Sequence, residues 1–330
     1  MSSLDVSEQD SILSDFLRGG YHKRRISAKL DVVSLNTLYF FNENNFICAG
    51  QDYVDCDCSP ALNTTHPGDV HLEWLQLTLQ ASRKKGAKVI LSGHIPPVND
   101  ENDILYRHRC WKHFASILLN FNDTVTGSFF GHINKDMLIL LHDTQDPIFT
   151  AVTSKNVAKL PTDIGSLLFV SPSIIPATNP AVRLFTCKSE GLKFWETWFV
   201  DLEKENQVFM NQDQRSPLSF HLEYNSLETY GVGDLGPAGV LKLVNLFRTS
   251  EKKRDIYLKY LKVPGAEIPP DFLRLDKSVV WTIMTLACLA FLTSMGIIVR
   301  WSRRSKDDAL DTQLLLSKSI RASPLSRIVE

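Results

Sequence analysis

Two short apolar runs in this chain of 330 residues end in the same dipeptide. KVILS at 88–92 runs into Gly93-His94, and VTGSFF at 125–130 runs into Gly131-His132. With 16 glycines and 9 histidines, chance supplies about 0.4 such pairs, so the dipeptide alone carries little. Its context carries more. In an open α/β sheet, ligands sit outside the carboxyl ends of strands, and glycine there lets the backbone turn so that the next side chain enters the crevice. Two imidazoles delivered this way can converge on one metal ion. The second run continues to Asn134, and side chains two apart in an extended segment leave on the same side, so its amide oxygen is a third candidate ligand. The residues alone leave a plainer reading open: His94 and His132 as loop histidines with ordinary partners. Pro96-Pro97 stiffens the loop after His94 and fits either reading.

Other polar residues have simpler expected roles. Asp136 is expected to support the ligands from behind or to start a strand. Asp100 and Asp103 read as loop or capping carboxylates, and Asp69, in the string Gly68-Asp69-Val70-His71, as a helix cap. Arg83, Lys84 and Lys85 form the basic last turn that helices favour. His108 and His113 are five apart, do not share a helix face, and read as structural.

The elements that must position these groups follow from periodicity. A strand is expected at 30–41, a helix at 70–85 opened by Pro67-Gly68-Asp69 and closed before Gly86, and a buried strand at 88–92. A helix follows at about 102–120, with Ile104, Trp111, Phe114, Leu118 and Phe121 on one stripe. A strand at 125–130 then pairs as a hairpin with one at 137–142. This alternation is that of an α/β sheet. Strands at 166–170, 182–186 and 193–202 imply a second sheet, and helices at 237–247 and 250–261 close the region. There is no internal repeat and no low-complexity tract.

Composition, 44% apolar and 22% charged, excludes disorder. A formal net charge of −1 gives no footprint for nucleic acid. Residues Val279 to Val299 carry no formal charge. At about 1.5 Å per residue that stretch covers the roughly 30 Å of a bilayer core. Arg300, Arg303, Arg304 and Lys306 follow it, which predicts a cytosolic tail at 300–330 and residues 1–275 on the lumenal side. The N-terminus has neither a basic nor an apolar leader region. Five cysteines, Cys48, Cys56, Cys58, Cys110 and Cys187, precede the apolar stretch that contains Cys288. An oxidising compartment would allow disulfides with one thiol left over, and Cys56 and Cys58 read as loop disulfide cysteines rather than metal ligands. Asn63 and Asn122 open glycosylation sequons.

SLNTLY at 34–39, HLEWLQLTLQ at 71–80, GHIPP at 93–97, FFGHINKD at 129–136, and SPSIIP with NPAVRLF at 171–185 resemble, in that order, the C-terminal half of fungal vacuolar endopolyphosphatases. These are calcineurin-like metallophosphoesterases of the acid sphingomyelinase-like branch, and the match spans roughly residues 15 to 250. The resemblance implies an α/β/β/α sandwich holding two divalent metal ions, whose identity among Mn, Zn, Co, Fe and Mg it leaves open. It also implies hydrolysis of internal phosphoanhydride bonds of inorganic polyphosphate at a vacuole membrane, with the bilayer as a further partner through 279–299. By motif, His94 matches the family's lone Gly-His ligand, His132 the first ligand of its final Gly-His pattern, and Asn134 the last place. Sphingomyelinase relatives usually carry histidine at that last place.

The chain departs from the family pattern before residue 94. The Asp-x-His pair, the bridging Asp and the Asn-His-Glu segment have no counterpart there, so the family's proton-donating histidine is absent and no catalytic residue is assigned. Two divalent ions bring about four positive charges, and His94, His132 and Asn134 are neutral ligands. The expectation is a fold incomplete at its N-terminus, from a truncated chain. The alternatives are an inactive membrane-anchored relative and a phosphodiesterase acting on a lipid head group.

Overall fold

The computed structural model describes residues 6–48, 56–59, 66–175, 178–188, 191–211, 217–261 and 263. Its centre is a seven-stranded mixed sheet in the order β1-β2-β3-β4-β7-β5-β6. The strands are β1 (His22–Ser27), β2 (Leu30–Ser34), β3 (Lys88–Ser92), β4 (Val125–Phe130), β5 (Met137–His142), β6 (Ile148–Ala151) and β7 (Ile164–Val170). β2, β3, β4 and β7 run parallel, so their carboxyl ends share one edge. β3 alternates half-buried and buried up to Leu91 and ends on exposed Ser92, whereas MLILLH is buried throughout β5, because that strand has packed layers on both faces.

Helices α2 (Pro67–Lys84) and α3 (His108–Asn120) cover one face. Val33, Val89, Leu91, Ile139 and Leu168 meet Leu72, Leu75, Leu79, Phe114 and Leu118 there, all fully or almost fully buried. The opposite face carries an antiparallel sheet of three strands, β8 (Ala181–Lys188), β9 (Gly191–Val200) and β10 (Phe220–Asn225), in the order β10-β9-β8. The short helix α5 (Ser226–Tyr230), with α6 (Pro237–Thr249) and α7 (Glu251–Tyr260), joins it in one core around Trp195, Phe169 and Phe247. Helix α1 (Val6–Gly19) packs on β1, and α4 (Leu202–Asn211) follows β9. The fold is therefore mixed α/β with two sheets, but α6 reaches β7 directly, so the closing helices share the second sheet's face and do not form a separate outer layer above it.

Several expectations are corrected. The strand from Leu30 ends at Ser34, and a single helical turn follows at Thr37–Tyr39. The helix expected from 102 begins at His108. Asn99 takes over the preceding residues: its Oδ1 accepts from the amides of Glu101 and Asp103, and Asn102 turns left-handed at φ 70°, the local competition Asn offers to a helix. Strand β5 does not form a hairpin with β4. β7 is inserted between them, so the second sheet begins only at β8. His66, not Asp69, caps α2, its Nδ1 accepting from the Gly68 amide at 3.1 Å, while Asp69 is buried and accepts from the Ser59 amide at 2.9 Å.

The membrane expectation is corrected too. Among the described residues no helix is long and apolar enough to cross a membrane, and residues 279–299 lie outside those described. The single transmembrane helix, the bilayer as partner, and the vacuole-membrane location with its lumenal domain and cytosolic tail all depended on that span and are set aside.

Cys58 and Cys110 are joined, 52 residues apart, and tie the loop before α2 to the first turn of α3. Cys56 is also disulfide-bonded, and Cys187 is free and exposed. The Cys56-x-Cys58 pair is thus split between two bonds. Chain-entropy arithmetic for a loop of that length gives about 4 kcal/mol. Cys58→Ala with Cys110→Ala is expected to lower unfolding free energy by roughly that amount, read from urea denaturation.

His71 lies fully buried between Tyr21, whose ring is 4.2 Å away and nearly parallel, and Phe40 at 5.0 Å. Burial holds its pKa down at about 3 against an ordinary 6.5. Unfolded chains therefore take up a proton here that the folded chain refuses, and the native state loses stability as pH falls from 6.5 toward 3. His71→Phe is expected to raise the melting temperature more at pH 5 than at pH 7.5. An equal shift at both would contradict this account.

Candidate metal centre

β3 and β4 are neighbours in parallel register, Ser92 opposite Phe129, so the two Gly-His dipeptides leave the sheet side by side. The backbone locks them together. The Gly93 amide donates to the Phe129 carbonyl at 2.9 Å, and the Gly131 amide to the His94 carbonyl at 2.9 Å. Position 93 has no room for a larger residue: a Cβ there would lie 2.7 Å from Thr37 Cγ2 and 3.0 Å from the Phe130 ring.

His94 and His132 are both exposed, and their rings stand edge to face with centres 5.3 Å apart. An ion held about 2.0–2.1 Å from one nitrogen of each ring fits between ring centres at that separation. His132 adopts φ 69° and Asn134 φ 60°, a left-handed conformation in which His and Asn are enriched among non-glycine residues and which collects at ligand sites. Phe41 supports the His132 ring edge-on, 5.7 Å away. Partial desolvation of the ring, and then the neighbouring His94, push the His132 pKa below its ordinary 6.5, against a smaller upward pull from Glu43. The ring is therefore neutral at pH 7, the state that ligates a metal. The structure brings the two histidines together, but the segment from His132 to Asn134 is a left-handed turn and not extended, so the expected same-side exit of the two side chains does not hold and Asn134 is placed only as an exposed residue of the same loop.

The remaining candidates stand elsewhere. Asp136 is buried on the far side of its strand, paired with Arg183 and hydrogen-bonded by Thr197 and Tyr224. Asp100 pairs with Lys135, and Asp103 accepts from Asn99 Nδ2 at 3.0 Å. Arg83 clasps Asp123, Thr124 and the Asn120 carbonyl and lies over the Phe121 ring, a structural role. His113 Nε2 meets the Ser59 carbonyl at 2.8 Å, and His108 stacks on Trp111. Asn122 is exposed on the loop before β4, while Thr124 of its sequon is buried. Asn63 lies outside the described residues.

Among the described residues one group of three metal-capable side chains comes together, Cys58, His66 and Cys110. Its two sulfurs are bonded to each other, so it offers no thiolate to an ion. Glu43, which sequence reasoning did not single out, supplies the carboxylate that acts on His132. The signal for it was positional. It lies in the loop beyond the carboxyl end of β2, on the same sheet edge as the two Gly-His loops.

Comparison with known proteins gives partial matches. No family model matches the chain. It is 35% identical over 128 residues, 39% of its own length, to an endopolyphosphatase of Neurospora crassa, of which it covers 16%. It is 25% identical over 267 residues, 77% of its length, to the bovine cyclic GMP-AMP phosphodiesterase SMPDL3A, of which it covers 51%. The chain thus spans about half or less of these relatives. A solved dimetal phosphatase from Danio rerio is similar over 58% of each chain, at 13% identity and a TM-score of 0.32.

Proposed function

From the premise that the chain is a member of the metallophosphoesterase superfamily, we propose that it contributes to metal-dependent hydrolysis of the internal phosphoanhydride bonds of inorganic polyphosphate. The observation that carries this reading is the His94–His132 pair at the carboxyl ends of adjacent parallel strands, with ring centres 5.3 Å apart. A divalent ion held by these residues would supply Lewis acidity and activation of water near neutral pH.

This chain's own residues bind and orient. His94 and His132 present neutral ring nitrogens, and the Asn134 amide oxygen fits the same hard cation. The Gly93 and Gly131 backbone hydrogen bonds fix the angle between the two loops. Neutral ligands leave the charge of the ion uncompensated. That surplus positive potential suits a polyanionic substrate, and Glu43 is the carboxylate placed to moderate it.

A second reading, a phosphodiesterase, is favoured by one observation: the match to the bovine phosphodiesterase is longer, though less identical. The purified chain, supplied with manganese, decides between them on long-chain polyphosphate, sphingomyelin and a cyclic dinucleotide. Shortening of polyphosphate from within, abolished by His94→Ala, is expected. Faster cleavage of either phosphodiester would overturn the choice.

A further inference from the structure

We propose that Arg183 is a positioning residue for the metal loop: through Asp136 it anchors the far end of the segment that carries His132 and Asn134. The inference takes its purpose from the metal-site reading above, but its geometry stands without an ion.

Arg183 and Asp136 have side chains 0% and 2% exposed. Asp136 Oδ1 meets the guanidinium. Its Oδ2 accepts from Thr197 Oγ1 at 2.8 Å and from the Tyr224 hydroxyl at 3.0 Å, and that hydroxyl accepts in turn from Trp195 Nε1 at 2.8 Å. The guanidinium itself lies among the rings of Phe169, Phe185 and Trp195, 5.4 to 5.8 Å from their centres. One carboxylate at the start of β5 is thus gripped by all three strands of the second sheet.

Asn134 precedes it by two residues and His132 by four, both with left-handed backbone. Non-glycine residues hold that conformation only where the surrounding structure over-determines it. The near end of the segment is fixed by the Gly131 amide on the His94 carbonyl, and the far end by Asp136. A buried ion pair is a weak source of stability, since apolar side chains of similar volume often serve as well. What the pair does supply here is a fixed origin for the loop.

The test is amide hydrogen exchange in the metal-free full chain, followed by manganese titration. Arg183→Met is compared with Leu118→Ala, which opens a cavity in the other core, on α3. Arg183→Lys serves as the milder variant should methionine prevent folding. The amides of Gly131 and Ile133, bonded at 2.9 and 2.8 Å, are expected to exchange at least about 10-fold faster in the Arg183 variants, beyond whatever acceleration the Val89 amide at the opposite end of the sheet reports for global stability. Leu118→Ala, which also lowers global stability, does not accelerate the loop amides beyond Val89. Manganese binding is expected to weaken about 10- to 100-fold, as for residues that orient metal ligands. Equal acceleration in both variants, or none in either, would overturn the proposal. Failure of the unaltered chain to bind manganese would instead sink the metal-site reading, and the exchange data would still decide the role of Arg183.

Discussion

His132→Ala is expected to raise the manganese dissociation constant by more than about 100-fold, or about 2.7 kcal/mol, and to lower hydrolysis with it. The size follows from the ligand count. With His94 and His132 as the two imidazoles this chain brings together and the Asn134 amide as the proposed third ligand, removing one imidazole leaves one nitrogen and at most one weak oxygen donor. His132 sits in the left-handed region with φ 69°, where alanine is less readily accommodated than histidine, so the substitution also perturbs the turn. His94→Ala has the same direction of effect. His108→Ala, on a ring stacked against Trp111, leaves binding unchanged. Isothermal titration of the three variants at pH 7.5 checks the prediction, and a His132→Ala chain that binds as tightly as the parent contradicts it.

Arg183→Met is expected to cost about 3–5 kcal/mol of stability. One guanidinium faces two carboxyl groups there. Burial pushes Glu223 up to about 8, so it is neutral at pH 7, and Asp136 is the counter-charge. Removing Arg183 strands that carboxylate in a core that gives it only hydroxyl donors. Asp136→Asn added to Arg183→Met keeps partners for Thr197 and Tyr224 while removing the stranded charge, and is expected to recover most of the loss, a coupling that a double-mutant cycle reads directly. For a domain of this size 1 kcal/mol moves the melting temperature by roughly 2–4 °C, so the single variant should melt about 10 °C lower. A drop under 2 °C would show that the pair is dispensable.

How far the sequence reached depended on the kind of information each feature needs. β3, β4 and α2 were legible because their apolar period and end signals are local, and the His94–His132 convergence followed from the rule that strand ends face the crevice. Strand partners are not local. Nothing in MLILLH says that β7 inserts between β5 and β4, so the hairpin expected there does not form. The start of α3 was obscured because the stripe beginning at Ile104 looks helical until the Asn99 turn is seen to hold residues 99–103. β1, a polar HKRRIS edge strand, and the four-residue β6 carry too little pattern to stand out. Asp136 and Arg183 each look like ordinary surface charges in sequence, and only the packing of the second sheet on the first makes them a buried pair. His71, beside the capping signal at Asp69, gave no hint that it would end as a neutral ring in an aromatic stack.

The central claim, that one ion sits between the two Gly-His loops, is tested most directly by pulsed electron paramagnetic resonance on the manganese-loaded chain. The account predicts nitrogen couplings from two imidazoles on the bound ion, one lost in His94→Ala and the other in His132→Ala. Manganese bound without imidazole nitrogen, or with couplings that survive both substitutions, would contradict it.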